Sequence, residues 1–427
     1  MKKSLVVLSV VASSMLMAGG IIAPVEPMTA KVAPVVDTGS FGDALKNGKF
    51  TGKMRVFYFD RGYDDKDSDA KGIGRKPNSS TFTAGGILKY ESAPYYGVKF
   101  GLAYYGNHKL GSVFDRIDAA GASMLDNTKD SAGNRAYGDV AFLGEAYVQY
   151  DIGNTMLKVG RQQLSTPLIQ GHDLRLLPSV YEAAILRNKD IPDTMVEVGF
   201  VDRYSGFTSR DNGFTDNKTS KDGLAYISFS NKSIENLSIR GQYVKTLSDT
   251  NSAGNAVKRE VYTYLDAKYN LPFGDKTYIK AQYGTNSYFD TTQDDGTLIG
   301  AKVGTSFGIF DIAAVYDKIS DNQFQAFESG PMYTDWQQGY GPYEPSTGIG
   351  VQLIVHPMDG LSLKFGYVDV SADETSTVDD FNEFNFDGKY TINDWSKLRI
   401  RYSLKNQTDT STREDRDDFR VTYYINF

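Results

Sequence analysis

Basic side chains recur two residues apart in several short segments: Lys53 and Arg55, Arg399 and Arg401, and Arg420 in the run Phe419–Phe427. In an extended chain, residues i and i+2 point to one face, so each pair sets two positive charges side by side. Arg161, Arg240 and Lys364 occupy comparable places in other segments. Fixed cations beside a water-filled passage do no covalent chemistry. They attract anions and lower the barrier to a carboxylate entering a narrow pore. The competing use is structural, with the same charges paired to Glu145, Asp266, Asp311 or Glu383. A second set, His172, Asp173 and Arg175, precedes Leu176-Leu177-Pro178 in an irregular stretch. These residues would set the width and charge of a constriction. As an anchor, the leucines and rigid proline would instead fix the stretch to a wall.

The chain has no cysteine and three histidines, which leaves no disulfide framework, thiolate chemistry or structural zinc, and no cofactor is expected. There is no His-x-Ser pair, and only His108 falls in an outer loop, where a lipase or protease barrel would need one. An enzymatic barrel and a structural or adhesive barrel are the alternatives. The run Asp60, Asp64, Asp65, Asp67 and Asp69 is rich in oxygen ligands but lacks the fixed glycine and closing glutamate of an EF-hand loop. It reads as a solvated exterior loop, bridged to lipopolysaccharide through shared cations. Net charge is −7, and removing Lys2 and Lys3 with a leader (−7 − 2) gives −9. Acidity with dispersed basic residues argues against nucleic acid as a partner.

The elements that must position these residues are strands. Met54, Val56 and Tyr58 alternate with Lys53, Arg55 and Phe57; Leu398, Ile400, Tyr402 and Leu404 alternate with Lys397, Arg399, Arg401 and Lys405. The same period of two runs through Val98–Tyr105, Val140–Tyr150 and Leu361–Tyr367. Short turns at Asp151–Asn154, Asn188–Asp193, Asn231–Glu235, Asn270–Asp275, Pro357–Gly360 and Thr391–Asp394 take turns with long polar segments. That rhythm predicts an all-β, antiparallel transmembrane barrel of about 18 strands with both termini periplasmic. A mean hydropathy of −0.39 fits, because half of every strand faces a polar lumen. Aromatics make up 13% of the chain, as expected where rings gather at both membrane interfaces.

Lys2-Lys3, an apolar run from Leu5 to about Leu16 and small residues at Ala18 predict a cleaved signal over residues 1–18, with Ala30 as a second site. The apolar run is shorter than the roughly 20 residues a spanning helix needs. Residues 19–49 read as a periplasmic lead-in and 50–427 as the barrel domain, in a bacterial outer membrane. Asp417–Phe427 ends on an aromatic with one apolar face, the form of a closing strand read by the barrel-assembly machinery.

Two stretches go further. Asn47–Arg61 resembles the first strand of OprD-type porins, with an NGK-like lead-in, an arginine, an aromatic run and an Asp-Arg pair. Leu157–Leu164, Thr166-Pro167 and His172–Pro178, followed by Tyr181-Glu182, resemble that family's fifth strand and third loop. The resemblance implies an 18-stranded barrel whose third loop folds inward, with a basic ladder facing acidic and carbonyl groups. It also implies passive diffusion of small hydrophilic solutes (often carboxylates, amino acids or small peptides) through monomers or homotrimers. Leu174 departs from the family's usual small residue there, and the acidic loop after Asp60 follows no family rule.

Overall fold

The computed structural model describes residues 39–64, 79–110, 138–171, 175–206, 215–216, 220–250, 259–288, 294–324, 331–334, 344–376, 379–407 and 415–427. The expected signal, most of the lead-in, His172, Asp173, and Asp65, Asp67 and Asp69 lie outside them.

A short helix, Phe41–Lys46 (α1), is capped by Ser40, whose Oγ accepts from the Asp43 N–H. The rest is sheet: Lys49–Asp64 (β1), Ser79–Glu91 (β2), Val98–Lys109 (β3), Val140–Ile152 (β4), Thr155–Gln162 (β5), Val180–Asn188 (β6), Thr194–Ser205 (β7), Thr215–Asp216 (β8), Leu224–Asn231 (β9) and Leu237–Thr246 (β10). Then come Glu260–Asn270 (β11), Asp275–Tyr288 (β12), Gly296–Phe307 (β13), Phe310–Ser320 (β14), Ser346–Met358 (β15), Leu361–Ala372 (β16), Phe381–Asn393 (β17), Ser396–Gln407 (β18) and Asp415–Asn426 (β19).

With β8 set aside, every strand pairs antiparallel with the strands before and after it, and β1 pairs with both β2 and β19, which closes the sheet. The two-residue β8 pairs only with β7, while β7 and β9 pair directly. Eighteen strands therefore make the wall of a closed barrel. Closure leaves no edge, so every wall strand has its backbone partners inside the protein, as a bilayer requires.

The six turns read from the sequence all join consecutive strands on one rim. Two more lie on that rim, at 92–97 and at Gly308-Ile309. The second is flanked by Phe307 and Phe310, so its apolar surroundings hid it within an unbroken strand pattern. Outside, Leu102, Leu157, Val159, Ile227, Ile299 and Ile349 stand exposed. Their alternation partners turn inward, so the apolar half of the pattern faces hydrocarbon and the polar half faces the lumen. At the seam the last residue completes the ring. Phe427 N–H donates to the Gly52 carbonyl, and Gly52 N–H to that of Phe427. The Phe427 ring occupies the space a side chain at Gly52 would need.

Candidate functional site

The lumen wall is built by parity. On β11, β12 and β13 the even residues face inward, which brings Lys268, Lys280 and Lys302 directly opposite one another across three strands. Lys302 Nζ reaches Gln352 Oε1 at 2.9 Å. Lys364 on β16 is the register partner of Asp387 on β17 and feels the charges of Lys302, Asp387, Lys389 and Arg399. Lys389 and Arg399 are register partners on β17 and β18. Partly exposed lysines thus stand on β11, β12, β13, β16 and β17, with Gln352 of β15 in the gap and Lys389 paired to Asp387 at 3.5 Å, and the series ends in guanidinium groups on β18. Arg240 flanks its other end, with Nε on Asp266 Oδ1 at 3.1 Å.

Of the sequence-read basic residues, Lys53, Arg55, Arg240, Lys364, Arg399, Arg401 and Arg420 lie on inward faces. Lys53 is exposed, at the turn-side rim. Arg55, Arg399, Arg401 and Arg420 converge as expected from closure of β1 against β19, but they are buried. Arg399 forms a two-pronged pair with Asp387, at 2.8 and 2.7 Å. Arg420 Nη2 binds Asp418 at 2.6 Å, and the Arg420 Cζ lies 4.9 Å from the Phe59 ring centre. Arg61 joins Asp418 from the other side.

Arg161 is placed differently. On β5, Lys158, Gly160 and Gln162 face inward, whereas Leu157 and Val159 stand 43% and 49% exposed on the outer face. Parity puts Arg161 with the latter, where it pairs with Glu182 at 2.6 Å and donates to the Leu143 carbonyl. It is an exterior residue and takes no part in the row. The possible partners separate as well: Asp266 does hold Arg240, Glu145 instead holds Lys89 at 2.8 Å, and Asp387 takes Arg399.

What covers the buried arginines is the segment after β5. Arg55 Nη1 donates to the carbonyls of Arg175, at 2.5 Å, and Leu176, at 3.3 Å. Leu176 packs on Phe57 and Phe59; Leu177 packs among Ala103, Tyr105, Val140 and Val180. The Arg175 guanidinium lies over Phe59 at 4.9 Å. Burial, then the like charges of Arg420 and Arg61, hold its pKa below the usual arginine range. The first half of the same segment turns the other way: Leu168 N–H donates to Gln242 Oε1 on β10 at 2.7 Å, and Tyr181 Oη to the Gln170 carbonyl. Leu168 and Gln170 are thus held against β10 and β6, and Arg175 to Leu177 against β1 and β3. Leu177→Asp buries a carboxylate in the apolar cluster at a cost of about 3 kcal/mol. Planar-bilayer recording is expected to show higher, noisier single-channel conductance from a barrel that still migrates as folded on unheated gels.

Sequence reasoning missed a second inward element. The segment after β14, one of the long polar segments of the sequence, buries Met332, Tyr333 and Thr334. Asp317, fully buried on β14, accepts from Thr334 N–H at 2.7 Å, Thr334 Oγ1 at 2.9 Å and Gln282 Nε2 at 2.6 Å. Gly300 leaves room for the carboxylate and Gly348 for Thr334. Met332-Tyr333, an apolar pair inside a polar loop, was the available signal.

Sequence reasoning also passed over Gly304-Thr305-Ser306-Phe307-Gly308, which spells the G-x-S-x-G of serine hydrolases. It ends β13 in a two-residue hairpin instead of a strand-to-helix elbow. Asp311 is the register partner of Ser306 and lies 2.9 Å from His356 Nε2. The acid sits between serine and histidine, the wrong order for a base to activate the hydroxyl.

A sequence model described as outer membrane porin, OprD family, matches residues 43–338. No curated protein sequence matches. Among solved structures, Pseudomonas aeruginosa OccK9 (OpdG) superposes with a TM-score of 0.74 at 17% identity, covering 90% of this chain and 99% of that one. Pseudomonas aeruginosa OccK1 (OpdK) gives 0.71 at 16% identity, covering 90% and 99%. The identities are low enough that these two speak to fold alone, and it is the same closed barrel. With the family match spanning well over half its length, the chain belongs to the OprD family of outer membrane porins, non-enzymatic channels for passive diffusion of small solutes.

Proposed function

We propose that this porin favours small anionic solutes, carboxylates above all, over neutral and cationic ones of equal size. The observation that carries this reading is the lysine row Lys268–Lys280–Lys302, in direct register and partly open to the lumen. Lysines that merely neutralised wall carboxylates would alternate with them; three in a row leave net positive potential along one wall. The buried Arg55, Arg399, Arg401 and Arg420 add to that potential while holding the loop, so their part is field and anchorage more than contact. His172, Asp173 and Arg175 belong to the loop that narrows the passage. Vanillate, named with a Pseudomonas aeruginosa OpdK structure, is an aromatic carboxylate and fits the same chemistry. The energy source is the concentration gradient.

Residues 1–18 serve as the cleaved export signal, and the terminal strand is the part handled by the barrel-assembly machinery. Lipopolysaccharide surrounds the outer rim, and either a monomer or a homotrimer would work in this way. Liposome swelling with dicarboxylates, amino acids and sugars of matched size tests the reading. Dicarboxylates are expected to enter fastest at low salt and to lose their lead as salt rises. Equal rates for charged and neutral solutes at low salt would overturn it.

A further inference from the structure

We infer that the outer wall over β13–β17 carries a site for one acyl chain of a phospholipid. A groove of about 610 Å³ runs there across the strands, and its lining is almost wholly apolar. Its three courses follow the strand register. The course nearer the turn rim is Thr305–Ile312–Leu353–Phe365, and the far one is Val303–Ala314–Val351–Tyr367. Between them the floor is backbone, along Gly304–Ala313–Gln352–Gly366, whose side chains face the lumen or are absent. The groove is deepest where Ala314 stands between Val303 and Val351, a small residue in a course of large ones.

Position decides the occupant. This wall faces hydrocarbon, and the lining offers water almost no partner, so neither hydration nor an empty groove is favoured. From Thr277 on β12 to Phe384 on β17 the groove crosses six strands, roughly 24 Å at the usual inter-strand spacing. One leaflet holds about half of the roughly 30 Å core, so a chain lying obliquely across tilted strands matches that length. At the end nearest the Gly308-Ile309 turn, Thr277 Oγ1 and Thr305 Oγ1 lie 2.6 Å apart. They give the groove its polar end on the periplasmic side, where the leaflet is phospholipid. The site thus takes a periplasmic-leaflet chain, with the ester region by the two threonines.

Native mass spectrometry of the full barrel in mild detergent, titrated with dipalmitoyl phosphatidylethanolamine, tests the site. Wild type is expected to keep one lipid under activation that strips the others. Ala314→Phe, which fills the deepest point, should lower the lipid-bound fraction about tenfold. Ala301→Phe, exposed on the same wall outside the groove, should leave it unchanged. If Ala314→Phe fails to migrate as folded on unheated gels, Val303→Phe takes its place. Glycerophosphoethanolamine, which has the headgroup without chains, should not compete. Undiminished binding by the filled variant, equal loss in Ala301→Phe, or competition by the chainless headgroup would each overturn the assignment.

Discussion

Replacing Lys302 and Lys364 together by glutamate is expected to invert the charge preference of the channel, moving the reversal potential in a potassium chloride gradient from the anion side to the cation side. Each substitution changes the wall by two charges. A unit charge about 8 Å from a permeating ion, at an effective dielectric near 40, contributes about 1 kcal/mol, so four units amount to about 4 kcal/mol before screening. Salt reduces this, and a change of at least about tenfold in the anion-to-cation permeability ratio should survive at low ionic strength. These lysines are better targets than the arginines at the barrel seam. Lys302 donates to a neutral amide, Gln352, and Lys364, although opposite Asp387 in the register of β16 and β17, leaves that carboxylate to its two-pronged pair with Arg399; neither lysine is fully buried. Arg399, by contrast, neutralises the buried Asp387, and Arg401 lies in register between Asp387 and Arg420. Glutamate at either would set like charges together under the loop and disturb the loop as well as the field. An unchanged reversal potential in the lysine double variant, with normal conductance, would remove the row from any account of selectivity.

That contrast also marks what the sequence could carry. Strand rhythm was legible because the two faces meet different solvents, so each residue reports its side. The closing strand was legible for the same reason, with Phe419, Val421, Tyr423 and Ile425 outward and Arg420 and Thr422 inward. Arg161 was misread although its own strand held the answer: it shares the parity of Leu157 and Val159. Lys268, Lys280, Lys302 and Lys389 show inward parity too, but their alignment into one row depends on how far each strand is shifted against the next. Register of that kind is set by turn geometry and bulges such as the one between Asp275 and Tyr278. No single segment displays it. Burial of the arginines was invisible for a related reason, since it comes from Arg175 and Leu176, far away in the sequence, lying on β1.

Asp317→Ala is expected to release the second inward segment and widen the channel. The carboxylate gathers three donors, and removing it leaves the Thr334 N–H and hydroxyl and the Gln282 amide without their acceptor, at about 1–3 kcal/mol for each group that stays buried. The barrel wall does not depend on that carboxylate, because β14 keeps its ladders to β13 and β15. The cheaper response is for Thr334 to leave its seat over Gly348 and take Met332 and Tyr333 with it. Single-channel conductance should then rise, with added noise in the open state, while folded migration on unheated gels persists. Asp317→Asn is the informative intermediate. It retains one oxygen for the Thr334 donors but turns an amide toward Gln282, whose own oxygen already accepts from Tyr264 at 2.9 Å. Conductance should therefore rank wild type below asparagine below alanine. Identical conductance in all three would mean that residues 331–334 stay seated through Met332 and Tyr333 alone, and that apolar packing holds this segment much as Leu176 and Leu177 hold the loop after β5.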